Sequence, residues 1–223
     1  MFYSMKAIVV HPERDGNPLI WEDVKEPECG ANDVIVDINA TSLNSADLMQ
    51  RTGKYPPPPG ATEILGLDMA GTVVRSGSKA AGWKEGDRVC ALLPGGGYAE
   101  RVCVPHRMLM PVPEGWSFEQ AAAFPEVFFT AFLNLFMEAG LQRGETVLVH
   151  GGASGVGTAA IQMAFQDGCR VFTTAGADEK VAYCRRLGAQ AAVNYKDEDF
   201  ATRISEHTSG DGVDVILDIV GAA

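Results

Sequence analysis

The chain has 223 residues, 46% hydrophobic and 21% charged, which is enough apolar content for a packed core and argues against a disordered chain. A formal net charge of −11 excludes nonspecific binding to nucleic acid or anionic lipid, since both need a dominant basic surface; a local basic patch for one phosphorylated ligand stays open. The cysteines, at 29, 90, 103, 169 and 184, are odd in number and lack Cys-x-x-Cys spacing, so reduced thiols in a cytosolic setting are expected rather than a disulfide framework.

The first residues, MFYSMKAIVVHPERDG, carry no basic n-region, long apolar run or cleavage site, so no signal peptide is expected. No stretch approaches about 18 uninterrupted apolar residues, and no membrane span is expected. Up to about residue 120 the chain reads as short β-rich runs: KAIVV (6–10), DVIVDINATSL (33–43), MAGTVVRSG (69–77), DRVCAL (87–92) and YAERVCV (98–104). Turn chemistry at Asp15-Gly16, Gly53, Pro56 to Pro59, Gly60, Gly86-Asp87 and Gly95 to Gly97 separates them. Many short strands with Gly/Pro punctuation predict a folded-over, barrel-like β domain over 1–122.

From about residue 119 the period changes. EQAAAFPEVFFTAFLNLFMEAG predicts a buried helix interrupted near Pro125 and capped at Gly140. A β-α alternation follows. TVLVH (146–150) reads as a strand and GVGTAAIQMAFQDG as a helix ending at Gly168. RVFTT (170–174) is a strand, and DEKVAYCRRLG a helix with Asp178 as N-cap and Gly188 at its end. AAVNY is a strand, EDFATRISEHTSG a helix, and VDVILDIVG a strand. Near-continuous apolar strands joined by crossover helices predict a parallel, doubly wound Rossmann sheet over 123–223. Four strands are read where a complete dinucleotide domain has six, so this α/β domain is expected to be C-terminally incomplete.

The strand-to-helix turn reads Gly152-Ala153-Ser154-Gly155-Val156-Gly157. In a dinucleotide fingerprint the first glycine makes the tight turn, the second admits the pyrophosphate and the third lets helix pack on strand. Gly152 and Gly157 hold the outer positions and Ser154 the middle one, where its hydroxyl could donate to a phosphate or to the nicotinamide side. The amides of Gly155 to Gly157 would favour an anion through unpaired N–H groups and the helix dipole. A glycine-rich turn that only packs a helix closely is the alternative; the strand before it and the β-α run after it favour the cofactor.

An NAD site needs an acid at the end of the second strand for the ribose 2′-hydroxyl. Ala175 and Gly176 stand there, with Lys180 four residues beyond Gly176. A missing acid beside a cation favours the 2′-phosphate of NADP. Asp178 and Glu179 weigh against it unless they face solvent and complement the helix dipole.

Taken together, NSADLMQRTGKYPPPPG, ILGLDMAGTV, WKEGDRVCALLPGGGYAE, AAAFPE…TAF and HGGASGVGTAAIQ resemble the zinc-independent quinone oxidoreductases, the zeta-crystallin-like family of the medium-chain dehydrogenase/reductase superfamily. LLPGGGYAE and YPPPPG are most similar to the branch that includes the tumour-suppressor-inducible quinone oxidoreductase. The resemblance implies a GroES-like β domain followed by a Rossmann domain, with NADPH between them, and assembly as a homodimer at full length. It implies that Asn44, Asp47 and Tyr55 line the nicotinamide and substrate side as catalytic candidates. Asn44 and Thr130 are implied as cofactor contacts, with Ser154, Gly155, Val156 and Gly157 in the phosphate loop beside Gly152. Gly176, Lys180 and Tyr195 are implied around the adenosine ribose and its phosphate, although packing at a strand end would serve Tyr195 equally well.

Zinc alcohol dehydrogenases of the same superfamily carry a cysteine and a histidine where this chain has Asn44 and Leu67, and the histidines at 11, 106, 150 and 207 do not cluster in sequence, so no metal is expected. Without a Lewis acid, an easily reduced quinone in an apolar cleft is the expected hydride acceptor, with Tyr55 as proton donor or stacking wall. The rival substrate is an enal or enone double bond. A non-catalytic short form, one that binds cofactor weakly or pairs with full-length partners, is the reading from a different class.

Overall fold

The computed structural model describes residues 4–221. The chain forms two compact units, Met1–Glu126 and Val127–Ala223, dividing inside a helix rather than at the sequence-based boundary after residue 122.

In the first unit, β1 (Ser4–Val10) and β2 (Leu19–Lys25) make an antiparallel hairpin. Strands β3 (Asp33–Ala40), β4 (Asp68–Ser76), β5 (Arg88–Leu92), β6 (Arg101–Pro105) and β7 (Met110–Pro111) form an antiparallel sheet ordered β6-β3-β4-β5-β7. Alternation along these strands turns Val34, Val36, Val73, Val89, Val102 and Val104 into one core. Ile8 N donates to Tyr98 O at 2.8 Å and Glu100 N to Lys6 O at 2.9 Å, so the hairpin is bonded to the chain entering β6. The folded-over β domain read from the turns is therefore present. The short helix α1 (Ser45–Arg51), together with β2 and β7, was not anticipated: each is too brief or too polar to show a period.

Helix α2 (Phe118–Ala122) starts at a capping box, in which Gln120 N donates to Ser117 Oγ at 3.2 Å and Ser117 N to Gln120 Oε1 at 2.9 Å. Pro125 ends that run and opens α3 (Pro125–Phe132), which continues into a π-helical turn, Leu133–Glu138. By length and composition alone the 21 residues 118–138 could cross a membrane. In the structure they are broken at Phe124, and they bury Ala121 and Ala122 beside the first unit's sheet and Ala131 and Leu135 in the second unit's core.

The second unit alternates β8 (Thr146–Val149), α4 (Gly155–Asp167), β9 (Arg170–Ala175), α5 (Asp178–Arg186), β10 (Ala191–Asn194), α6 (Phe200–His207) and β11 (Val215–Leu217). The strands are parallel and ordered β10-β9-β8-β11, so the strand order reverses between β8 and β11. All four residues of β8 and of β10 are buried, which explains their lack of alternation. Helix α4 ends at Gly168, with φ of 90°. Helix α5 is capped by Ala177 rather than by Asp178, and its last cap is Leu187, one residue before Gly188.

Candidate functional site

The glycine turn joins β8 to α4. Ser154 is the N-cap of α4, and its Oγ accepts the Gly157 amide at 3.0 Å. The serine in the middle fingerprint position is thus a helix cap. Only the Gly155 and Val156 amides stay open toward an anion, because the Gly157 amide expected among them is taken by the cap; the Ser154 hydroxyl hydrogen is still free to be donated. A methyl on Gly157 would collide with the Gly151 carbonyl and lie 2.7 Å from Gly152 Cα, and one on Gly152 would strike Thr173 Oγ1. One on Gly155 would lie 2.8 Å from Val127 Cγ1. These glycines bring helix and strand together, while the Val156 side chain packs on the core beneath.

Above the turn lies a cavity of about 760 Å³ at the carboxyl ends of the strands, where sheet order reverses. Ser154, Gly176, Lys180 and Tyr195 all line it, so four residues spread over 41 positions of sequence meet at one site. The Tyr195 hydroxyl lies 2.7 Å from where a Gly176 Cβ would stand, so the missing side chain makes room for the phenol. Lys180 has no ion pair or side-chain hydrogen bond among the described residues. Of the nearby acids, Glu179 is exposed and three are engaged: Asp178 Oδ1 accepts from Asn194 Nδ2 at 3.0 Å, Glu198 pairs with Arg203 at 2.9 Å, and Asp199 caps α6 through Thr202 N at 3.0 Å.

Among the residues of this cavity that sequence reasoning missed are His150 and Asp218. The His150 ring holds Nδ1 3.0 Å from Thr174 Oγ1 and meets the Phe200 ring edge-on at 4.9 Å. Its position directly before the glycine turn was the available signal. Asp218 follows β11, and its carboxylate accepts from Val220 N and Gly221 N at 2.9 and 3.0 Å. Thr130 sits on α3 away from the cavity lining, and its carbonyl accepts from Asn134 Nδ2 at 2.8 Å.

In the first unit the structure brings Asn44 and Asp47 together. Asp47 is only 3% exposed; its Oδ2 accepts from the Tyr98 hydroxyl at 2.8 Å and from Asn44 N at 2.7 Å. Its Oδ1 is buried without a hydrogen-bond partner among the described residues. A carboxylate so enclosed anchors the start of α1.

The centre of this cluster is Asp68, another residue the sequence reading passed over. Asp68 is 1% exposed; its Oδ2 accepts from the Ser42 hydroxyl and from Asn44 Nδ2 at 2.8 Å, and its Oδ1 from Glu126 N at 2.8 Å. Asn44 Nδ2 also donates to Ser42 Oγ at 3.0 Å. Burial pushes the Asp68 carboxyl up, and burial together with the Asp68 and Asp47 charges does the same to Glu126. Burial and the bond to Asp47 push the Tyr98 phenol up strongly. Tyr55 stands apart, 49% exposed and without a side-chain hydrogen bond among the described residues. No three His, Cys, Asp or Glu side chains among the described residues are placed to share a metal ion.

Residues 30–114 match the alcohol dehydrogenase GroES-like domain, and residues 155–223 match the zinc-binding dehydrogenase domain. The quinone oxidoreductase of Rattus norvegicus is 34% identical over 202 residues, which cover 90% of this chain and 61% of the rat protein. Among solved structures, a quinone oxidoreductase from Pseudomonas syringae pv. Tomato is 33% identical with a TM-score of 0.86, covering 100% of this chain and 67% of that one. The CurK enoyl reductase is 30% identical with a TM-score of 0.88, covering 98% and 68%. The chain spans 57% to 62% of the length of the curated quinone oxidoreductase relatives it matches, and 7% to 8% of the length of the polyketide synthases it also matches. On this combination of paired domains, sheet order and relatives, the chain belongs to the medium-chain dehydrogenase/reductase superfamily, in its quinone oxidoreductase branch.

Proposed function

We propose that this chain carries the nucleotide-binding part of a metal-independent, NADPH-dependent quinone oxidoreductase. The observation that carries the reading is Lys180, unpaired on the wall of a cavity whose strand end offers Gly176 in place of an acid. A 2′-phosphate suits the ammonium and the Tyr195 phenol, and the end of β9 itself, Ala175 and Gly176, offers a ribose hydroxyl no carboxylate. The amides of Gly155 and Val156 and the N-terminal end of the α4 dipole suit a diphosphate.

NADPH, when bound, supplies a hydride. The protein's part is to position it, with Asn44 and Thr130 as further cofactor contacts and Tyr55 as hydrogen-bond donor or stacking wall for the acceptor. Metal independence rests on Leu67, which offers no donor atom, and on Asn44, which stands where the zinc enzymes of the superfamily carry a thiolate. A homodimer in the cytosol is part of the same proposal.

A second reading, reduction of an enal or enone double bond, is supported by the likeness to the CurK enoyl reductase. Steady-state assays with NADPH against a quinone series and an enone series separate the two. Turnover of enones alone selects the second reading. Fluorescence titration with NADPH and NADH tests the cofactor: equal affinity for both would reject the 2′-phosphate assignment, and no binding of either would favour a non-catalytic chain.

A further inference from the structure

Cys29 and Cys103 are half-buried, whereas Cys90, Cys169 and Cys184 are buried. The half-buried thiols share one corner of the first unit. Cys103 lies on β6, an edge strand, opposite Ile35 of β3. Val102 and Val104 point into the core, so Cys103 faces the other side of the sheet with Arg101. The segment before β3 runs along that side. Glu26 pairs with Arg101, and Pro27 lines the same cavity of about 420 Å³ as Arg101, Cys103 and Pro105. The segment then turns back at Gly30: Asp33 N donates to Gly30 O at 3.2 Å, and the Cys29 thiol lies 3.4 Å from Asp33 O. Asp33 is in turn opposite Pro105, two residues beyond Cys103.

We propose that Cys29 and Cys103 form a reversible disulfide under mild oxidation by a peroxide, a modification site that staples the segment before β3 to the edge strand β6. The roles of the thiols follow from their surroundings. Burial, with Asp33 and Cys29 nearby, pushes the Cys103 thiol up to about 11, so it stays protonated and resists direct oxidation. Cys29 therefore reacts first: peroxide converts its thiol to a sulfenic acid and one water is released. Cys103 gives up its proton as its sulfur attacks that of Cys29, and the displaced hydroxyl takes that proton and leaves as the second water while the S–S bond forms. Two thiols lose two hydrogens and two electrons in all, and one peroxide gains them. The loop closed between the two positions is long, so the crosslink restricts the unfolded chain strongly.

The test is stepwise oxidation of the reduced full chain with hydrogen peroxide, followed by intact mass and peptide mapping. The expected result is a loss of about 2 Da per chain and a linked peptide pair containing Cys29 and Cys103, both reversed by dithiothreitol. Cys29→Ser and Cys103→Ser should each abolish the loss, and Cys184→Ser should leave it intact. Should a serine variant fail to fold, the wild-type peptide map decides alone. A Cys103 still open to alkylation after Cys29 has gone to sulfinic acid overturns the proposal, as does a crosslink joining any other pair.

Discussion

The Oγ of Ser154 accepts the amide of Gly157 at 3.0 Å, so the residue in the middle fingerprint position closes the first turn of α4 instead of leaving it open. Ser154→Ala should therefore cost about 1 kcal/mol in urea denaturation, and Ser154→Gly only a few tenths. A larger loss in the glycine variant would place the serine's importance outside the cap.

Gly157 faces the backbone of Gly151 and Gly152, which cannot yield as the far end of a side chain can. Gly157→Ala should cost about 3 kcal/mol, read as a lower denaturation midpoint at unchanged slope. Gly140→Ala has open space around its Cβ and a φ of 66°, so its smaller cost would come from the backbone alone.

Lys180 has no competing partner in its cavity. Lys180→Ala should weaken NADPH binding about tenfold or more while changing NADH binding less than about twofold, measured by fluorescence titration. Gly176→Ala, which pushes on the Tyr195 phenol 2.7 Å away, should also act mainly on NADPH.

Three donors converge on the two oxygens of Asp68. Asp68→Asn keeps the shape but turns an NH₂ group against donors on one side, so it should lose about 1–3 kcal/mol at neutral pH despite removing a buried charge. Stability equal to wild type would mean that the network reorganises without cost.

Glu126 gives the pH dependence its sign. Its carboxyl is raised in the folded chain by burial, Asp68 and Asp47, so the native state holds the proton more tightly than the unfolded state. That contribution is complete below the unfolded value of about 4.5 and is lost as pH rises through the folded value. Glu126→Gln should then raise the thermal midpoint near pH 8 and leave it unchanged near about pH 3.5. A gain of equal size at both pH values would show that ionisation is not its source.

The sequence by itself determined the order of elements in the second unit and most of the first. The reason is local: buried parallel strands are short apolar runs, helices carry a longer period, and glycine and proline mark the ends between them. It also determined the identity of the turn at Gly152 to Gly157 and the absence of an acid at Ala175 and Gly176, which are facts of spacing. Only the tertiary structure decided that Ser154 is a cap, that Asp47 is enclosed, and that Asp68 is the junction of its cluster. Those outcomes depend on partners such as Tyr98, 51 positions from Asp47, and Glu126, 58 positions from Asp68. A carboxylate's solvation is set by what folds over it, and no window of neighbouring residues contains that information.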